Sequence, residues 1–226
     1  INKTEKIILK DNKPEGEIVV DEGQYFSHDG SSPQGLHIDY SSGTLVLNTD
    51  YGITIATNLE DIGGTGKNDV IIGSDLNDNI HPGGGDDIIS GGGSNDQLTG
   101  GAGADTFTLD SGFDTISDLG VGGDDILIVK SGAIAIANGI LSFIATSDTS
   151  NAGTASLTAA DGGSRTISVA SAAAGSFTLT GGTGQDTLTG GLAADIIGGG
   201  SGGVRAARIA SLHGAKVAIC EKDKMG

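Results

Sequence analysis

Six aspartates, Asp69, Asp78, Asp87, Asp96, Asp105 and Asp114, follow one another at intervals of nine residues without a slip. Each is followed two positions later by an apolar residue, in turn Ile71, Ile80, Ile89, Leu98, Phe107 and Ile116. Glycines crowd the positions before each aspartate, most fully in Gly100-Gly101-Ala102-Gly103-Ala104-Asp105-Thr106-Phe107-Thr108. A short fixed period means stacked, near-identical units. In a unit of the form Gly-Gly-x-Gly-x-Asp-x-apolar-x, the glycines permit positive φ and a tight turn with exposed carbonyls. The last three residues suffice for a minimal strand whose middle side chain faces inward.

Stacked strands lie about 4.8 Å apart, so equivalent aspartates should recur at about that spacing, roughly twice a calcium–oxygen bond of about 2.4 Å. One ion can then bridge two layers. Without metal, carboxylates at that distance repel by roughly 1 kcal/mol per pair in water and about 3–4 kcal/mol at an effective dielectric of 20. The apolar column is thin, so metal binding and folding are expected to be one event. Magnesium demands near-octahedral geometry and holds its water, whereas carboxylates plus turn carbonyls give the looser oxygen shell that calcium accepts. Zinc lacks its usual Cys and His ligands here.

The rest of the composition agrees with a repetitive chain. With 41 Gly, 4% aromatic residues and no Trp in 226 residues, an ordinary packed core is not expected. The formal charge of -17 is uneven, -20 over residues 1–195 and +3 over residues 196–226, which suggests two origins. The acidic part should repel nucleic acid and anionic membrane and attract divalent cations. Cys220 is the only cysteine, so no intrachain disulfide can form and export to an oxidising compartment is permitted. No apolar run approaches a membrane span. The chain opens on Ile1, as a fragment would, so the lack of a leader carries no information.

Along the chain, residues 1–62 read as a β-rich segment, with strands at Lys6–Leu9, Glu17–Val20, Leu36–Asp39, Thr44–Leu47 and Ile53–Ala56. Residues 63–129 carry the nonapeptides, which loosen where Asp125 follows Asp114 by eleven. Residues 130–180, rich in Ala, Ser, Thr and Gly, read as a β spacer with patches at Leu141–Ile144 and Thr166–Val169. The nonapeptide returns over 181–199 with Asp186 and Asp195, then fails where Val204 replaces the next aspartate. Residues 200–226 read as a helix over Val204–His213 followed by a strand at Lys216–Cys220.

The nonapeptide segment resembles the RTX (hemolysin-type) family of secreted calcium-binding proteins, over 63–128 and again over 181–198. That resemblance implies a parallel β-roll in which two nonapeptides make one coil. Asp69, Asp87 and Asp105 would then form one column and Asp78, Asp96 and Asp114 another, over inward stacks Ile71/Ile89/Phe107 and Ile80/Leu98/Ile116. With the turn glycines Gly83, Gly85, Gly92, Gly101 and Gly103, and with Asp186 and Asp195, these are the expected calcium-site residues. Asp87, Asp96 and Asp105 sit in the least altered units, whereas the unit before Asp78 has Leu76 and that before Asp114 has Leu109-Asp110 in place of glycines. Asp75, Asp86 and Asp124 read as solvated turn residues.

The string Gly198-Gly199-Gly200-Ser201-Gly202-Gly203 allows three parsings. As a nonapeptide it opens another calcium turn. As G-x-S-x-G it would make Ser201 a nucleophile, but His213 falls on the helix that directly follows and no triad results. As G-x-G-x-x-G it lies between a short strand and a helix, the setting of a pyrophosphate-binding turn. Residues 194–226 resemble the start of the FAD-binding domain of the glutathione reductase family (the pyridine nucleotide-disulfide oxidoreductases). By that resemblance Gly198, Gly200, Gly203 and Glu221 would contact FAD. A piece this short buries too little surface to hold a flavin, so FAD binding is not expected. The chain then reads as a chimera of an RTX protein and the beginning of a reductase.

The fold expected is all-β: a parallel β-roll with flanking β segments and a truncated βαβ-like end. The function expected is that of a calcium-binding structural or secretion module of an extracellular RTX protein, exported by a type I secretion system and folding on calcium outside. Its partners would be calcium and cell-surface or matrix components, without nucleic acid and without a membrane span. His28, His37 and His81 are scattered and form no site, so no catalytic constellation is expected in this segment. The alternatives are a reductase fragment fused to RTX repeats, and the non-catalytic part of a secreted RTX protease or lipase.

Overall fold

The computed structural model describes residues 61–198 except 65 and 67, together with the backbone of seven short strands outside that range. Those strands are Lys6–Leu9, Ile18–Asp21, Phe26–His28, His37–Asp39, Thr44–Leu47, Thr54–Ala56 and Ala218–Cys220. All secondary structure among the described residues is β. The helix expected over 204–213 lies outside them.

One turn of the chain in the first repeat block takes eighteen residues, two nonapeptides, and leaves one short strand on each of two faces. On the first face, Val70–Ile72, Ile88–Ser90, Thr106–Leu109 and Ile126–Val129 pair in parallel, so that Ile71, Ile89, Phe107 and Leu127 align. On the second, Asp61–Gly63, Asn79–His81, Gln97–Leu98 and Gly112–Ile116 do the same with Ile62, Ile80, Leu98 and Ile116. The alternation along each strand sends the middle residue of each repeat's strand inward, and all eight of these side chains are buried. A one-residue slip would turn the whole set to solvent, so the apolar period alone pins the local register.

The coil does not stop at 129. The second face runs on without a break through Ala133–Ile140, Thr154–Ala159, Phe177–Thr180, Ile196–Gly198 and Ala218–Cys220, giving a nine-stranded sheet. Its inward row continues as Ala137, Leu157, Leu179 and Ile197, each buried. Residues 130–180, expected as a β spacer, are therefore rungs of the same stack. They differ in length: a third strand enters each rung, at Ser142–Ile144 and Thr166–Ser168, and is joined by Thr187–Thr189 from the second repeat block. Phe143, Ile167 and Leu188 align on its inner side and are buried. The last described turn, from Thr178 to its partner Ile196, takes eighteen residues again.

Glycine is demanded where one turn lies directly over another. Gly101 and Gly103 have φ of 104° and 134°, and a Cβ on either would run into the carbonyl oxygen of Gly83 or Gly85 in the rung below. Gly66 has nothing within 4 Å of its Cβ position. Gly101→Ala is therefore expected to destabilise the folded protein by about 2 kcal/mol or more, while Gly66→Ala stays within about 1 kcal/mol of the parent. Thermal melts of the two variants in calcium check the contrast, and equal melting temperatures would count against this stacking of the turns.

Candidate metal centre

Five of the six repeats deliver the aspartate at the end of the turn, directly before the strand begins, and Asp114 lies within the longer strand Gly112–Ile116. The strand pairing that stacks Ile71 on Ile89 therefore also stacks Asp69 on Asp87. The backbone N–H of each aspartate donates to Oδ1 of the aspartate one rung further on: Asp69 to Asp87 at 2.6 Å, Asp87 to Asp105 at 2.9 Å, Asp78 to Asp96 at 2.9 Å and Asp96 to Asp114 at 3.0 Å. Two columns result, one beside each face. The first column goes one step further, because Asp105 donates to Asp125 at 2.9 Å across an interval of twenty residues. The loosening at Asp125 is thus absorbed in the intervening turn, and the carboxylate keeps its place.

These carboxylates are inside the protein. Asp69, Asp78, Asp87, Asp96, Asp105, Asp114 and Asp125 are all at most 3% exposed. The glycine five residues upstream closes over several of them: a Cβ at Gly64, Gly73, Gly91 or Gly100 would strike Oδ2 of Asp69, Asp78, Asp96 or Asp105. For Asp87, Asp96, Asp105 and Asp114, Oδ1 is held by the neighbouring rung while Oδ2 is buried with no hydrogen-bond partner. Asp125 is different, since Gly120 N–H closes its Oδ2 at 2.6 Å.

Burial without a counter-charge pushes these carboxyls up from 3.8, to about 7 for Asp87, about 8 for Asp96 and about 6 for Asp114 and Asp125, and upward for Asp105 as well. Desolvation is the largest cause in every case, partly offset by the backbone N–H each accepts and reinforced by neighbouring carboxylates. Mutual repulsion, the cost expected from the spacing, comes second to loss of water.

A buried acceptor without a donor, carried on an anionic group, asks for a cation. The donor set is all oxygen, which suits a hard ion such as calcium and not zinc. Among the described residues no three His, Cys, Asp or Glu side chains come together. The columns supply one carboxylate per rung and side, so the remaining ligands would have to be turn carbonyls. The comparison with protein families finds the RTX calcium-binding nonapeptide repeat, in four copies, over residues 63–93, 81–116 and 178–203. This chain carries RTX calcium-binding repeats. The comparisons with curated proteins and with solved structures give no match.

The matched RTX segments cover the six evenly spaced aspartates and the second block, and leave out Asp125 and the long rungs between. The expected turn glycines Gly83, Gly85, Gly92, Gly101 and Gly103 all have positive φ and sit in the turns that precede Asp87, Asp96 and Asp105. Asp186 and Asp195, 2% exposed, accept backbone N–H bonds from Arg165 and Phe177 rather than from another aspartate. Of the FAD-like residues, Gly198 closes the strand Ile196–Gly198, while Gly200, Gly203 and Glu221 lie outside the described residues.

A second ladder in the RTX repeats escaped the sequence reading. In four of the six repeats the residue before the aspartate also accepts a bond between rungs, but in the opposite direction. Asn68 Oδ1 accepts from Asp86 N–H at 2.9 Å, Asp86 Oδ1 from Ala104 N–H at 2.8 Å, Asn77 Oδ1 from Asn95 N–H at 3.0 Å and Asn95 Oδ1 from Phe113 N–H at 2.9 Å. Asp86, read as a solvated turn residue, is exposed but has this structural role as well. The signal was present, because Asn68, Asn77, Asp86 and Asn95 are themselves nine residues apart.

A carboxyl whose value is raised in the folded state takes up a proton on folding. Without metal the roll is favoured at and below the ordinary carboxylate value of 3.8, and loses that advantage as pH rises through about 6 to about 8. Far-UV circular dichroism in chelator should therefore report less strand at pH 8 than at pH 5. A strand content that rises with pH in chelator would contradict this arrangement of carboxylates.

Proposed function

We propose that this chain is a calcium-loaded structural module of an exported protein, which stays unfolded where calcium is scarce and folds where it is plentiful. The observation that carries the reading is the set of four buried carboxylate oxygens, on Asp87, Asp96, Asp105 and Asp114, that have no hydrogen-bond partner among the described residues. The ligands would be Asp69, Asp78, Asp87, Asp96, Asp105 and Asp114, completed by carbonyls of the turns that contain Gly83, Gly85, Gly92, Gly101 and Gly103. Bound calcium would supply the positive charge that these buried carboxylates lack. The chain's own part is to hold the carboxylates in line: the backbone bonds to Oδ1 leave Oδ2 as the free oxygen, and the glycine turns keep water from reaching it.

Export fits this chemistry. An acidic, glycine-rich chain that cannot close its carboxylates in a calcium-poor cytosol remains threadable, and millimolar calcium outside the cell then drives folding by mass action. A type I secretion apparatus and cell-surface or matrix components are the partners this reading assigns. Among the described residues no helix is long and apolar enough to cross a membrane.

A calcium titration followed by far-UV circular dichroism tests both parts. Strand content should rise cooperatively, with a midpoint on the order of 10⁻⁴–10⁻³ M, the range of extracellular calcium modules. Strand content in excess chelator equal to that in millimolar calcium would end the calcium reading. A midpoint below about 1 μM, where cytosolic sensors respond, would leave calcium in place and end the export reading.

A further inference from the structure

The two repeat blocks surround their aspartates differently. In the first, Asp87 lies between Asp69 and Asp105, and Asp96 between Asp78 and Asp114, so each interior carboxylate has another one rung away on both sides. In the second, the rung below Asp186 presents Arg165, whose N–H donates at 3.0 Å, and the rung below Asp195 presents Phe177, whose N–H donates at 2.8 Å. Eighteen residues beyond Asp186 the sequence has Val204, and Ala218, the register partner of Ile196, is preceded in the sequence by Val217 rather than an aspartate. Among the described residues neither aspartate has a second carboxylate one rung away to share an ion with. Their oxygens also differ: Gly191 N–H closes Asp195 Oδ2 at 2.7 Å, and neither Asp186 nor Asp195 leaves a buried oxygen without a partner.

Arg165 occupies the aspartate's place in its rung, since Thr166 and Ile167, which follow it, pair with Thr187 and Leu188, which follow Asp186. Its guanidinium folds back over its own turn. Nη2 donates to the Asp161 carbonyl at 3.4 Å, Nη1 lies 3.3 Å from where a Gly163 Cβ would be, and Nε is buried without a partner. A permanently charged group therefore lies against the turn and takes up its Asp161 carbonyl, one of the oxygens a metal ion there could use. A second cation there would meet repulsion where the first block offers only carboxylates.

We propose that the second repeat block takes no calcium: residues 178–198 form a metal-independent rung with Arg165 as the resident cation at its base. This rests on the calcium reading of the first block. The long rungs and the second block then form an ordered platform, built on the apolar rows Ala137/Leu157/Leu179/Ile197 and Phe143/Ile167/Leu188, against which the first block assembles when calcium arrives.

Isothermal titration of the full chain with calcium tests the proposal, using the parent, D96N/D105N and D186N/D195N. Asparagine keeps the Oδ1 acceptor that holds the rungs together and removes the charge. D96N/D105N should bind fewer ions than the parent, and D186N/D195N should bind the same number. A lower stoichiometry in D186N/D195N overturns the proposal. A parent chain that binds no calcium overturns the calcium reading instead, and this proposal with it. Hydrogen exchange on the parent needs no variant: in chelator, peptides containing 177–180 and 187–189 should stay protected while those containing 88–90 and 106–109 exchange. Equal loss of protection in both sets would also overturn it.

Discussion

Everything in the first block depends on the hydrogen bond from one aspartate's backbone N–H to the next aspartate's Oδ1. It is the bond that stacks the turns, and it is also the bond that takes the carboxylate out of water. A bond to a charged acceptor contributes about 1.5–3 kcal/mol, whereas an uncompensated buried charge costs several kcal/mol. The geometry therefore gains on one oxygen and loses more on the other. Either a proton or a cation reverses that balance. Calcium demand and the upward shift of the carboxyls are two consequences of one arrangement.

The same comparison explains why the stack continues where the carboxylates do not. Asp114 is paired in register with Ala135, and the first column closes at Asp125 against Gly120. Beyond these points the rungs acquire a third strand and with it Phe143 and Ile167, while Ala133, Ala135 and Ala137 line the second face. Rungs that bury more apolar surface per turn have less need of an ion between them. The nonapeptide rung is the shorter solution, and it relies on an external charge. The longer rung holds itself by packing.

Much of this was legible in the period. The nine-residue recurrence of aspartate and apolar residue specifies stacked units of a turn and a short strand; the resemblance to RTX repeats adds two units per coil, and Ile71/Ile89/Phe107 and Ile80/Leu98/Ile116 align as that resemblance implies. Burial of the carboxylates was not legible, because a charged residue before a strand reads equally well as a solvated turn until the rung above it is placed. The rungs over 130–180 were hidden for a different reason. Their inward row, Ala137, Leu157 and Leu179, recurs at twenty and twenty-two residues, with Leu157 and Leu179 flanked only by Ser and Thr. A drifting period with small residues gives the eye no register, although the sheet keeps one.

Repeats this alike raise a question that their consensus does not answer, namely why the coils adopt one pairing rather than another displaced by a whole nonapeptide. Such a displacement would swap the two faces and still match apolar with apolar and aspartate with aspartate. The discrimination has to come from the departures. Ser74, in place of a glycine, adds a bond from its hydroxyl to Asp78 Oδ2 at 3.0 Å that no glycine could make. Asp118 accepts both Gly100 N–H at 2.9 Å and Gly101 N–H at 2.7 Å, a contact that no other repeat can copy. Asp110, where glycine is usual, takes a bond from Ser90 and an ion pair from Lys130 on the rungs to either side. The consensus residues make the coil, and the residues that break the consensus give it a single register.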